Sequence, residues 1–375
     1  MISANLSNES MCPRLRELNW TAAHHWAFSR IFVSSHLTKF AFSYSLSNID
    51  VLADLASVMT ELQTSSLQYL DIDGPLPEDP ILTNLKAALS SAVLRCGSSL
   101  TAVAVSVPLT DAAIRHIMWL PEFTTLDTRN GPPDVSGLST LDTFPKLECI
   151  CLRTAEALKW LPFFKANTHR TLSDQVTHAP LNHGPYQTLT TIDYAHGAPS
   201  KVDAAFMSSI TLFRGLYDLR LESTCSTEGR CGFGLTDDDV ANMATSLPSL
   251  GHLDLGDVCS ADSCETTVAS LLIISTCCKD LESLRIHFRT RNLLRDLESM
   301  PNNPRLPGLL QLPRCGLERL GVSGAPLRMK EGYERAAEVF VNIFPSIREV
   351  SGKSDGWGII CRELWKLKSA KHSLV

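Results

Sequence analysis

Four charged residues, Asp193, Arg220, Asp254 and Arg285, alternate in sign at one fixed place in a short apolar phrase that the chain repeats. Carboxylates and guanidiniums at a constant step suit two chemistries. One is contact with a complementary protein surface; the other is lateral pairing among themselves, where an exposed ion pair contributes about 0–1 kcal/mol. Tyr69, Asp71, Arg129, His252, His287 and Arg319 stand at neighbouring places in the phrase and would join a partner-binding face. A second set is thiol chemistry. Cys225 with Cys231, and Cys259 with Cys264, follow adjacent copies of the phrase, so four thiolates could converge as they do around zinc. Their spacing is looser than a CxxC knuckle and points instead to a packed or loop-lining cluster, so no metal is assigned. His169, His178, His183 and His196 follow no helix or knuckle spacing and read as solvated loop histidines. Gly232 and Gly234 form a lone GxG without the third glycine of a nucleotide loop. No GxSxG, HExxH, Walker or paired-carboxylate motif is present. The expectation is a non-enzyme with no cofactor.

What must position these residues is the phrase itself: an apolar residue, two others, a second apolar residue, one other, a third. It reads Leu15-Leu18-Trp20, Leu37-Phe40-Phe42, Leu67-Leu70-Ile72, Leu100-Val103-Val105, Phe123-Leu126-Thr128 and Leu147-Ile150-Leu152 in the first half. It continues as Leu189-Ile192-Tyr194, Leu216-Leu219-Leu221, Leu250-Leu253-Leu255, Leu281-Leu284-Ile286, Leu317-Leu320-Val322 and a decayed Ile347-Val350-Gly352. Such a recurrence is a leucine-rich repeat, in which each unit lays one short strand into a parallel sheet. Helical spacing fills the intervals, notably at 47–62, 82–96, 111–120, 204–213, 264–278 and 332–344. Ser47 with Asp50, and Thr236 with Asp239, have capping-box spacing. The steps Leu120-Pro121, Leu247-Pro248 and Phe344-Pro345 mark where helix hands over to strand, because proline disfavours helix at the residue before it. The fold class is therefore α/β: a leucine-rich-repeat solenoid with a parallel concave sheet and outer helices. Side chains alternate along a strand, so residues between the apolar ones face the concave surface.

Residues 1–11 read as a short N-terminal segment, 12–353 as the solenoid with irregular insertions near 167–187 and 300–313, and 354–375 as a C-terminal tail. The 375 residues are 44% hydrophobic and 20% charged, a soluble globular balance. A net charge of −6 opposes a nucleic-acid partner, which needs a basic stripe. The strongest apolar run, 268–274, is too short to cross a bilayer. No basic, apolar leader opens the chain, so the expected location is cytoplasmic or nuclear, where most of the twelve cysteines would be reduced, small core residues such as Cys96, Cys277 and Cys278.

Residues 225–296 resemble fungal F-box proteins with C-terminal leucine-rich repeats. The likeness rests on Cys231-Gly-Phe-Gly-Leu-Thr-Asp-Asp-Asp, the Leu-Pro-Ser-Leu step at 247–250, Cys259 with Cys264, Thr266-Thr267-Val268-Ala269 and Leu284-Arg-Ile-His-Phe288. Pro13-Arg-Leu-Arg-Glu-Leu18 and Val93-Leu-Arg-Cys-Gly97 fit the same group's earlier repeats. The resemblance implies substrate capture for a cullin-type ubiquitin ligase, the repeats holding a protein target. A Skp-type adaptor would be a partner only if an F-box lies upstream, since nothing before residue 12 supplies one. The alternative is a stand-alone repeat scaffold or adaptor with no ligase link.

Overall fold

Every copy of the phrase becomes one strand. The structure, a computed structural model, describes residues 12, 14–22, 34–45, 49–62, 66–77, 80–129, 144, 146–152, 189–195, 202, 204–222, 233–256, 265–288, 293, 295–296, 315–323, 332–352 and 354–372. Two compact units divide the chain, Met1–Leu189 and Thr190–Val375.

In the first unit the strands are β1 (Glu17–Ala22), β2 (Lys39–Tyr44), β3 (Tyr69–Asp73), β4 (Ala102–Val105), β5 (Thr125–Thr128) and β6 (Cys149–Leu152). Each pairs in parallel with the next. Helices α1 (Ile49–Glu61), α2 (Ile81–Arg95) and α3 (Asp111–Met118) make the returns that parallel strands require. The second unit repeats the plan with β7 (Thr191–Ala195), β8 (Asp218–Glu222), β9 (His252–Asp254), β10 (Ser283–His287), β11 (Arg319–Ser323) and β12 (Glu349–Gly352). Its helices are α4 (Ala204–Ile210), α5 (Asp237–Ser246), α6 (Ala269–Cys277), α7 (Tyr333–Ile343) and α8 (Asp355–His372). Both units are leucine-rich-repeat solenoids.

Register brings equivalent places of the phrase side by side. Leu18, Phe40, Leu70, Val103, Leu126 and Ile150 form one buried row in the first unit; Ile192, Leu219, Leu253, Leu284, Leu320 and Val350 form its counterpart in the second. Truncating one of these to alanine costs about 2–5 kcal/mol, because neighbours on both sides lose packing at once. A carbonyl ladder phases the strands. The oxygen of Thr38 accepts from the amides of Gln68 and Tyr69, that of Gln68 from Thr101 and Ala102, and that of Thr101 from Thr124 and Thr125. Tyr217, Gly251 and Glu282 play the same part in the second unit. The handover from helix to strand is a tight turn, with Phe123, Leu250 and Ile347 donating backbone bonds to Leu120, Leu247 and Phe344. That is where the proline steps predict it.

The Thr236–Asp239 capping box forms at the start of α5. The one expected from Ser47 lies outside the described residues. Asp237 does more than open its own helix: its carboxylate accepts from the Thr267 amide at 2.8 Å, the Thr267 hydroxyl at 2.7 Å and the Ser270 hydroxyl. It thereby fixes the start of α6. Thr266 meanwhile donates to the His287 carbonyl at 2.6 Å. These bonds hold 266–267 in non-helical geometry, so the helix expected over 264–278 is confined to Ala269–Cys277.

The segment read as a C-terminal tail contains α8, a helix whose Trp357, Ile360 and Leu364 are buried. The decayed last phrase now has a reason. A Cβ at Gly352 would lie 2.3 Å from the Trp357 ring, so the indole occupies the space a third apolar side chain would need. The missing apolar residue is supplied from the next helix.

Candidate functional site

Each unit presents a sheet face on which the residues between the apolar positions line up. In the first unit Asn19, Ala41, Asp71, Ala104, Asp127 and Cys151 are lateral neighbours. Ala102 and Ala104 leave β4 almost bare, and Arg129, just past β5, reaches across it to β3. Its guanidinium stands 3.1 Å from Asp71, 2.8 Å from Asp73 and 3.1 Å from Asp127. Burial of Arg129 opposes its charge, but the hydrogen bond with Asp73 and the fields of Asp71 and Asp127 outweigh it and hold the guanidinium above its ordinary range. Tyr69 donates to Asp71 at 3.3 Å, and Lys39 lies over the Tyr69 ring at 5.2 Å. Burial, then the Asp71 charge, raises the Tyr69 phenol. Tyr69, Asp71 and Arg129 are thus brought together, engaged chiefly with one another.

In the second unit Asp193, Arg220, Asp254 and Arg285 align in one row, as their spacing predicts. The charges do not pair evenly along it. Arg285 meets Asp254 at 3.1 Å, whereas Arg220 turns to Asp218 on its own strand, through Nε at 3.2 Å and Nη2 at 2.9 Å. Asp254 is already committed on its other side, where Oδ1 accepts the Gly256 amide at 2.9 Å. The Asp218 hydrogen bond and charge, with smaller contributions from Asp193 and Asp254, raise the Arg220 guanidinium above its usual range. Arg319, between Ser283 and Glu349 in register, makes no ion pair among the described residues.

The floor drops at Gly321, where a Cβ would come within 3.0 Å of the Arg285 stem, so that stem lies across the position. The outcome is a groove of about 550 Å³ lined by Asp218, Arg220, Asp254, Arg285, Arg319 and Glu349. His252 also borders it and meets Tyr217 edge to face at 5.3 Å.

His287 corrects the expectation. It occupies a face position of β10 yet is only 3% exposed, with the Phe233 ring at 5.3 Å. Phe233 in turn lies against Gly256, whose φ of +86° and missing side chain allow that approach. His287 is packing, not a contact for a partner. Alternation alone passed over Asp218 and Glu349, each at a face place of the phrase, and Asp73, the third anion around Arg129. Their signal was the same two-residue step, taken once before the face residue between the second and third apolar places for Asp218 and Glu349, and once after it for Asp73.

The cysteines at 225, 231, 259 and 264, the histidines at 169, 178, 183 and 196, Gly232 and both insertions lie outside the described residues. Among the described residues no group of three or more His, Cys, Asp or Glu is arranged to hold a metal ion, and no helix is long and apolar enough to cross a membrane. The apolar run at 268–274 falls largely in α6, most of whose residues are buried.

No family model matches the chain, and no curated protein matches it. Among solved structures it is similar to the leucine-rich repeat-containing protein LegL7 from Legionella pneumophila, at 11% identity over 92% of this chain and 97% of that one, with a TM-score of 0.41.

Proposed function

We propose that this chain is a protein-binding repeat module, a stand-alone scaffold or adaptor, and that the groove over β8–β12 receives a segment of its partner. The observation that carries this reading is the groove's lining. Small-molecule pockets are mostly apolar with a few polar anchors; this one is walled by three guanidiniums and three carboxylates around a bare glycine. Those charges cancel, which disfavours a polyphosphate backbone and suits a peptide bearing both signs. In the first unit, Tyr69, Asp71 and Arg129 would present a contact face of their own, with Arg129 mainly holding the carboxylates in place. Such a module would work in the cytoplasm or nucleus, against a protein target.

The test is affinity capture with two variants. Gly321→Leu would fill the groove from its floor, and Arg285→Glu with Arg319→Glu would invert its cations; Arg335→Glu on α7 serves as control. Partners lost with both groove changes and kept with the control support the proposal. Partners that bind all three equally well place the contact elsewhere and refute it.

The ligase role rests on sequence resemblance alone. The residues that carry this resemblance include Asp237, Asp239 and Thr267, whose bonds here are structural. Binding of a purified Skp-type adaptor by the chain, or by the product of the gene extended upstream, would support that link; no binding by either would remove it.

A further inference from the structure

The β6 strand carries two cysteines on its sheet face, in the sequence Cys149-Ile150-Cys151. Their sulfurs are 3.7 Å apart. These are not core thiols of the kind the repeats bury elsewhere. Cys96 and Cys278 sit at helix ends in the core, whereas Cys149 and Cys151 are half-buried and flank Ile150, which alone of the three points inward. Alternation along a strand puts i and i+2 on one face, so the C-x-C spacing itself makes the two thiols neighbours. In register, Cys149 lies beside Thr125 and Cys151 beside Asp127.

We propose that Cys149 and Cys151 form a reversible dithiol–disulfide site, oxidised by a peroxide. The geometry sets the terms. A disulfide needs its sulfurs about 2.05 Å apart and its β-carbons within about 4.5 Å, whereas same-face neighbours on an extended strand hold theirs about 6.6 Å apart, so closing the 3.7 Å gap requires the strand to pucker at Ile150. The α-carbons of residues i and i+2 in a strand stand about 6.6 Å apart, at the upper end of the roughly 4.4–6.8 Å that disulfides span. The bridge is therefore possible but strained, and a strained bridge is easily reduced. It suits a switch better than a staple. The chemistry balances in two steps. One thiolate attacks a peroxide oxygen, the O–O bond breaks, and a sulfenic acid and water form. The second sulfur then attacks the sulfenic sulfur and expels a second water. Two thiols lose two protons and two electrons, and one hydrogen peroxide takes them up to become two waters.

The experiment uses the full chain. The reduced protein is treated with one equivalent of hydrogen peroxide, alkylated, and digested with trypsin. Cleavage after Lys146 and Arg153 releases a peptide, 147–153, that holds both cysteines and no other. The expected product is that peptide lighter by two hydrogens and without alkyl groups, restored to the doubly alkylated form when dithiothreitol precedes alkylation. Cys149→Ser and Cys151→Ser should each abolish the bridge, and a sulfenic acid trapped by dimedone on the remaining cysteine should replace it. A peptide that stays doubly alkylated, or one joined to a different cysteine, would overturn the proposal. So would sulfinic acid as the first product in the wild-type chain.

Discussion

Arg129 offers the sharpest test of how the first unit's face is held. Its guanidinium is 20% exposed and touches three carboxylates, Asp71, Asp73 and Asp127, with Asp73 the most open to water. Replacing it with methionine keeps an unbranched apolar stem of similar length and removes the charge. Breaking a buried pair costs about 3–5 kcal/mol, because the partner charge is left uncompensated; a fully exposed pair is worth about 0–1 kcal/mol. Partial exposure places Arg129→Met between the two, at about 2–3 kcal/mol. Repeat arrays do not always unfold as one unit, so local opening is the better readout. Hydrogen exchange in peptides spanning β3 to β5 should accelerate at least roughly 30-fold, the equivalent of about 2 kcal/mol, while peptides from β1 change little. A double-mutant cycle distinguishes electrostatics from lost packing. Asp127→Asn should lose most of its own effect in the Arg129→Met background, as coupled partners do. An exchange change under about twofold with no coupling to Asp127 would show that water, not Arg129, satisfies these carboxylates, and would refute the argument.

Asp237→Ala should loosen the start of α6 by about 2–3 kcal/mol, since it removes three hydrogen bonds to a charged acceptor that join two helices; exchange in 265–277 is the check, and an effect confined to α5 would contradict the clamp. Gly352→Ala places a Cβ 2.3 Å from the Trp357 ring, so it should cost about 1–3 kcal/mol by overpacking, detach α8 and shift tryptophan emission to the red. Burial above all raises the Cys278 thiol from 9.0 to about 12, so in the folded protein it should resist alkylation at pH 8 while the denatured chain reacts. The same shift makes folding less favourable as pH climbs past 9, because the unfolded thiol releases a proton that the folded one keeps; a labelling rate equal in both states would contradict the burial.

Most of the architecture is legible in the sequence because one physical requirement repeats. Each strand buries every second residue against helices, and each helix must end early enough to turn into the next strand. The apolar phrase and the Leu-Pro steps are those two requirements written in residues, so strand positions and most helix positions followed from them. Side-chain choice among neighbours is a different matter. Alternation predicts that Asp193, Arg220, Asp254 and Arg285 share a row, and they do. It does not predict that Arg220 prefers Asp218, because that depends on Asp254 already holding the Gly256 amide. His287 fails for a related reason: its strand position is a face position, but Phe233, fifty-four residues earlier, folds over it. Gly352 is a repeat error in the sequence and a packing solution in the molecule, since Trp357 lies beyond the phrase that it completes. Periodicity thus reports what every repeat shares, while function depends on where repeats differ. Gly321, the bare position in a row otherwise filled by Asp, Arg and Ser from β7 to β12, is such a difference. A substitution there should alter binding while leaving the buried rows beneath it intact, which is why the groove test turns on the residue with no side chain.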